Sequence, residues 1–144
     1  MPRVEKSALV PYPAEFMFEL VNDVESYPAF LPWCRNGRLL SRDAEMLCGE
    51  IEVARIGIHQ TFSTCNRLYP YERIDLKLKD GPFRRLEGSW TFQALREDAC
   101  KVVLMMEFEF SGRLIDVAFG RFFNQAANSL VDSFVARARE LHGG

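Results

Sequence analysis

The sequence has only two histidines, His59 and His142, set far apart, and it contains no G-x-S-x-G, G-x-G-x-x-G, Walker-type or H-E-x-x-H motif. The common sequence routes to nucleophilic, dinucleotide, phosphoryl and zinc chemistry are therefore missing. His59 falls on the strand side opposite Phe62 and reads as solvent-facing, while His142 lies in what reads as a fraying tail. The four cysteines, Cys34, Cys48, Cys65 and Cys100, form no C-x-x-C pair. In a cytosolic chain they read as buried reduced thiols, not as disulfides or a zinc site. Apolar runs are short and broken by charge, so nothing approaches the ~20 residues of a membrane-spanning helix. MPRVEKSALV carries no signal-peptide run, and the expectation is synthesis and residence in the cytosol. No block of like charge stands out, and the formal net charge is -2. A polyanionic partner would need a local basic patch, and no DNA partner is expected.

What is present is apolar surface with clear periodicity. With 144 residues, 48% of them hydrophobic, the chain fits one domain, residues 1–144, with a sizeable core. From Arg113 to Leu141, apolar residues from Ile115 and Ala118 through Phe122, Phe123, Leu130, Phe134 and Ala138 repeat at three-and-four spacing. This predicts one long helix, opened by Gly112 and closed by Gly143 and Gly144. Upstream, Arg3 to Val10 reads as a first strand. A short helix follows Pro13, with Phe16, Met17, Leu20 and Val21 on its dry side and Asn22 and Asp23 at its end. The segment from Asp23 to Cys34 places large apolar side chains beside Pro28 and Pro32, which predicts a rigid aromatic loop.

From Gly37 to Phe110 the period is two. Leu47, Gly49, Ile51 and Val53 share one face, and beyond a turn at Gly57 so do Ile58, Gln60, Phe62 and Thr64. Ile74, Leu76 and Leu78 form the next stripe, ending at Asp80-Gly81-Pro82. Leu86, Trp90 and Phe92 form another, and the last carries Val102, Leu104, Met106, Phe108 and Phe110. One apolar face per strand and tight turns between strands predict an α+β fold: a curved antiparallel sheet of about seven strands wrapped around the long helix.

The inward aromatics Phe62, Trp90, Phe92, Phe108, Phe119, Phe122 and Phe123 fill a core, and as a set facing a concave sheet they also suit an apolar pocket. The loop carrying Tyr27, Phe30, Leu31 and Trp33 is its natural lid, with Gln60 and Thr64 as candidate polar contacts. Glu107 with Glu109, and Glu50 with Glu52, fall on outward faces and read as solvated surface. No catalytic residue and no metal ligand is assigned.

Two stretches resemble a known family. Val21-Asn22-Asp23-Val24-Glu25-Ser26-Tyr27-Pro28-Ala29-Phe30-Leu31-Pro32-Trp33-Cys34 is similar to the V-x-D-V-x-x-Y-P-x-F-L-P-W-C signature of the coenzyme Q-binding protein family, which includes the bacterial RatA-type ribosome association toxins. Asp80-Gly81-Pro82-Phe83-Arg84-Arg85-Leu86-Glu87-Gly88-Ser89-Trp90-Thr91-Phe92 resembles its second signature, D-G-P-F-x-x-L-x-G-x-W-x-F. The resemblance implies a START-like helix-grip fold with a cavity between sheet and terminal helix. It implies non-enzymatic binding of a hydrophobic small molecule, foremost ubiquinone, in support of respiration, by a bacterial protein that is cytoplasmic or peripheral to the inner membrane. The RatA branch implies a second role: a toxin that binds the large ribosomal subunit, blocks subunit association and has an antitoxin partner. For that role Arg35, Arg38, Arg84 and Arg85 are the candidate contacts. The wider superfamily also contains polyketide cyclases; such an activity needs an ionisable group in the cavity, for which Arg55 and its neighbours are the nearest source.

Overall fold

A computed structural model describes residues 3–142. The predicted closing glycines, Gly143 and Gly144, lie outside the described residues. Seven strands form one antiparallel sheet: β1 (Arg3–Val10), β2 (Cys34–Arg42), β3 (Met46–Arg55), β4 (Ile58–Tyr69), β5 (Arg73–Asp80), β6 (Phe83–Arg96) and β7 (Ala99–Phe110). Their order is β1-β7-β6-β5-β4-β3-β2. β2 to β7 form the expected meander, while β1 closes onto β7, with Arg3 opposite Glu107 and Val10 opposite Cys100.

Helix α1 (Ala14–Asn22) follows Pro13, whose extended φ of -61° and ψ of 149° suit the residue before a first helical turn. Met17, Phe18, Leu20, Val21 and Asn22 are its buried residues. The predicted loop begins as a 3₁₀ turn, Val24–Ala29, with Pro28 inside it. A 3₁₀ turn accommodates Pro28 because so short a helix loses little when one backbone N–H is missing.

The long helix is present with one local change. A first turn, α2 (Arg113–Ile115), passes through a π-helical stretch, Asp116–Gly120, into α3 (Arg121–Leu141). Ile115, Asp116, Gly120 and Arg121 all keep right-handed helical dihedrals, so the axis continues while the hydrogen-bond register widens. The inserted register shifts which side chains face the sheet: Phe119 is buried, whereas Leu114, Val117 and Ala118 are exposed. Ala118 therefore does not belong to the buried face that simple 3.6-residue periodicity predicts.

The core lies between the concave sheet face and α3. At the end where β6 begins and β7 finishes, Phe83 stacks on Phe110 with centroids 5.2 Å apart, and Phe123 meets both Phe83 and Phe108 at 4.9 Å. This aromatic cluster fills the β6–β7 side beneath the start of the helix. Gly81 turns the chain into β6 with φ 145°, and a Cβ there would collide with Phe62. Gly37 similarly allows β2 to pass against the Val24 carbonyl.

Two sequence-based readings are corrected. Cys48 and Cys65 are joined by a disulfide, not reduced: the β3–β4 register puts them directly opposite each other, with Cα atoms 4.1 Å apart. Cys34 and Cys100 are the buried free thiols. His142, although exposed, does not lie in a loose tail: its N–H donates to the Ala138 carbonyl, and its ring packs 4.9 Å from Tyr12 and edge-on to Phe16 at 4.8 Å.

Candidate functional site

The alternation of β3 builds one wall of a cavity. Leu47, Gly49, Ile51 and Val53 all reach it, because in a sheet covered on one face every second residue points toward the cover. Phe62 and Thr64 of β4, Leu76 of β5, Leu86 and Trp90 of β6 and Met106 of β7 continue the wall, and Phe122, Phe123, Ala126, Ala127, Leu130 and Phe134 supply the helix side. The small side chains Ala126 and Ala127 leave the space that a larger residue would fill. The cavity is narrow: its volume is about 100 Å³, inside a space of about 920 Å³ that counts the gaps between side chains and the open mouth. Sites for drug-sized ligands run to roughly 300–1,000 Å³.

Of the residues picked from sequence, Tyr27, Trp33, Phe62, Trp90, Phe122 and Phe123 line the cavity. Trp33 and Phe122 meet edge-to-face at 6.4 Å. The others are placed elsewhere. Phe30 packs on Phe134 at 5.2 Å and lies beneath the Arg137 guanidinium, and Leu31 of the same loop is fully buried outside the cavity lining. Phe92 packs between Trp90 and Phe18. Phe108 and Phe119 sit in the aromatic cluster. Of the two candidate polar contacts, Thr64 reaches the wall; Gln60 is not among the lining residues.

Asn22 is the residue sequence reasoning missed. It ends α1, where a polar side chain ordinarily reads as a cap, yet it is buried to 4% exposure, lines the cavity, and its Nδ2 has no hydrogen-bond partner. A buried amide without a partner is destabilising by about 1–3 kcal/mol. Asn22 sits inside the first signature stretch, which was the available signal.

Tyr27 is the sole titratable side chain in the wall. Its hydroxyl donates to the Val21 carbonyl, and burial foremost holds its pKa well above the ordinary tyrosine value. It is thus a neutral, tethered group at ordinary pH, unable to accept a proton. The Arg55 guanidinium carbon lies 6.0 Å from the Phe122 ring, and Arg55 is not among the lining residues. Burial likewise pushes the Cys34 thiol up to about 11. Among the described residues no group of three or more His, Cys, Asp or Glu side chains comes together as a metal site.

The four arginines nominated for an RNA surface lie on the outside of the sheet in two clusters, each matched by acid. Arg38 pairs with Glu50 at 2.5 Å, and Arg35 approaches Glu52 at 4.0 Å. Glu52 also accepts from His59 at 2.8 Å, and that hydrogen bond leads the effects holding its carboxyl below the usual range. On β6, Arg84 pairs with Glu109 at 3.0 Å, and Arg85 with Glu87 and, at 3.9 Å, Glu107. These pairs leave both clusters close to neutral.

A curved sheet gripping a long terminal helix around an apolar cavity defines the START-like helix-grip class. The chain belongs to the polyketide cyclase/dehydrase and lipid transport family, whose model matches residues 10–135. Within it, the chain is 44% identical over 140 residues to the ribosome association toxin RatA of Pseudomonas aeruginosa, covering 97% of each protein. It is 44% identical over 142 residues to the persistence and stress-resistance toxin PasT of Escherichia coli, covering 99% of this chain and 90% of PasT. A more distant relative is the mitochondrial coenzyme Q-binding protein COQ10 homolog B of Xenopus laevis, 26% identical over 142 residues, with 96% of this chain and 58% of that one covered. Among solved structures, the 18 kDa protein CC1736 of Caulobacter crescentus aligns over 100% of both chains at 34% identity and TM-score 0.74. A START superfamily protein of Mycobacterium smegmatis aligns over 96% of this chain and 98% of its own, at 23% identity and TM-score 0.73. The ZhuI aromatase/cyclase of Streptomyces aligns over 97% and 95% at 18% identity and TM-score 0.77, a likeness of fold alone.

Proposed function

We propose that this chain is a non-enzymatic, cytoplasmic binding module for a largely apolar molecule that carries a carbonyl acceptor, ubiquinone being the leading candidate. The observation that carries the reading is the cavity itself: a mostly apolar wall that includes Asn22, whose buried Nδ2 has no hydrogen-bond partner. Apolar surface buried there contributes about 25 cal/mol per Å², and a quinone carbonyl would accept from Nδ2, relieving an unsatisfied donor. The relative named as coenzyme Q-binding supports the same ligand class. Catalysis is not part of the proposal: Tyr27, the titratable side chain among the lining residues, has its hydroxyl proton committed to the Val21 carbonyl. The test is mass spectrometry of organic extracts from gently purified protein. Ubiquinone should accompany the wild type and be lost from a Trp33→Ala, Phe122→Ala variant with an unchanged circular dichroism spectrum; an extract without quinone from both defeats the reading.

A second role, association with the large ribosomal subunit, is favoured by the 44% identity to a protein named for it across nearly the whole chain. Under this reading Arg84 and Arg85 trade Glu109, Glu87 and Glu107 for RNA phosphates. Reversal of both arginines to Glu should abolish co-sedimentation with large subunits. A wild type that never co-sediments, or a variant that still does, removes this role. A dedicated antitoxin partner belongs to the same reading.

A further inference from the structure

The sheet topology brings four segments to one end of the molecule: the start of β2, the β3–β4 hairpin tip, the β6 N-terminus, and the first turns of the long helix. Three aliphatic side chains project into solvent there. Ile56 at the hairpin tip is fully exposed, and Leu114 and Val117, one turn apart on the helix, are 82% and 76% exposed. Two contacts link the hairpin tip to residues of the cavity lining. The Ala54 N–H donates to the Trp33 carbonyl at 3.0 Å, tying the tip to the lid. Arg55, the neighbour of Ile56, lies over the Phe122 ring, and Phe122 meets Trp33.

Three arginines belong to the same segments. Arg55, Arg113 and Arg121 form no ion pair within 4 Å among the described residues, a state they share with Arg67 and Arg139 elsewhere, whereas Arg35, Arg38, Arg84 and Arg85 are matched by acids. Asp116, beside Gly120, is the acid on the same helical stretch, and Asp80 is the acid in the turn before β6. Leu9 and Leu95 are also exposed, at the opposite end of the sheet.

We propose that this end, which carries Ile56, Leu114 and Val117 together with Arg55, Arg113 and Arg121, docks on an anionic lipid bilayer and presents the cavity to it. Aliphatic side chains gain by entering the interface, and arginines gain from the negative potential of anionic headgroups. A folded RNA offers phosphates for the arginines but no apolar phase for the aliphatic triad, so the bilayer fits both features. The inference extends the ligand reading by giving a quinone a route from membrane to cavity, but its test uses no quinone, so either can fail alone.

The test is co-sedimentation of the full chain with phosphatidylcholine vesicles and with phosphatidylcholine–phosphatidylglycerol vesicles. Wild type should bind the anionic vesicles. Ile56→Ser, Leu114→Ser, Val117→Ser together should weaken that binding about tenfold or more. Replacing Arg55, Arg113 and Arg121 with Gln should remove the preference for anionic lipid, and Leu9→Ser with Leu95→Ser should change nothing. Wild type that ignores vesicles overturns the proposal, as does an aliphatic variant that binds as wild type does. Loss of large-subunit co-sedimentation in the aliphatic variant with vesicle binding intact would make this end a ribosomal face and also overturn it.

Discussion

Asn22 puts a polar amide where the cavity wall is otherwise almost entirely carbon. Its isosteric apolar replacement separates folding from binding. Asn22→Leu should hold or raise the thermal midpoint, because an unsatisfied buried donor is removed, while quinone affinity falls by about tenfold for one lost hydrogen bond. Equal affinity in the two proteins, by fluorescence titration of Trp33 and Trp90, would take Asn22 out of ligand recognition. Tyr27 gives a pH signature. Its folded-state pKa lies above that of the unfolded chain, so its contribution to stability is complete below the unfolded value near about 10 and is lost as pH rises past it. Tyr27→Phe should cost about 1 kcal/mol near neutral pH by orphaning the Val21 carbonyl, and should flatten the alkaline fall in the thermal midpoint. A wild-type curve as flat as the variant's would show that Tyr27 does not carry the alkaline dependence. The cysteines are readable by mass: denatured protein without reductant should take alkylating label at Cys34 and Cys100 alone, and at all four cysteines once reduced. Four labels without reductant would mean that Cys48 and Cys65 are not bridged.

The strands were legible because each has one wet and one dry side. Period-two alternation in Leu47, Gly49, Ile51 and Val53 is the direct imprint of a sheet covered on one face, and all four reach the cavity. Register left no such imprint. Nothing in the spacing of Cys48 and Cys65 states that β3 and β4 align them, and no local pattern in β1 names β7 as its neighbour. The helix was legible as an amphipathic run, but its π-helical stretch was not, since an inserted register looks in sequence like a few misplaced apolar residues. The cavity lining was half legible by either route: of the signature residues Tyr27, Trp33 and Trp90 reach it while Phe30, Leu31 and Phe92 do not, and of the inward aromatics Phe62, Phe122 and Phe123 reach it while Phe108 and Phe119 serve the core. Turn chemistry offers a test at this scale. Gly81→Ala forces a positive φ and a collision with Phe62, and should cost more than about 2 kcal/mol in urea unfolding. Gly57→Ala, at φ 78° with open space around it, should cost only about 1 kcal/mol. Similar losses at both positions would mean that the Phe62 contact contributes nothing.

At the scale of the molecule, the sheet edges are β1 and β2, and β1 has one partner, the last strand. That arrangement governs how the protein can be made. Arg3 pairs with Glu107, so the first strand leaves the translating ribosome with no hydrogen-bonding partner and waits while about a hundred residues follow, some 5–20 s at ordinary elongation rates. The meander from β2 to β7 assembles by short-range pairing in the meantime, and its apolar face stays bare until the terminal helix emerges. Contacts of such long sequence separation set a late, slow closing step. The nascent chain is therefore most vulnerable to aggregation and proteolysis just before its final thirty or so residues appear, the window in which a holding chaperone would have most to protect.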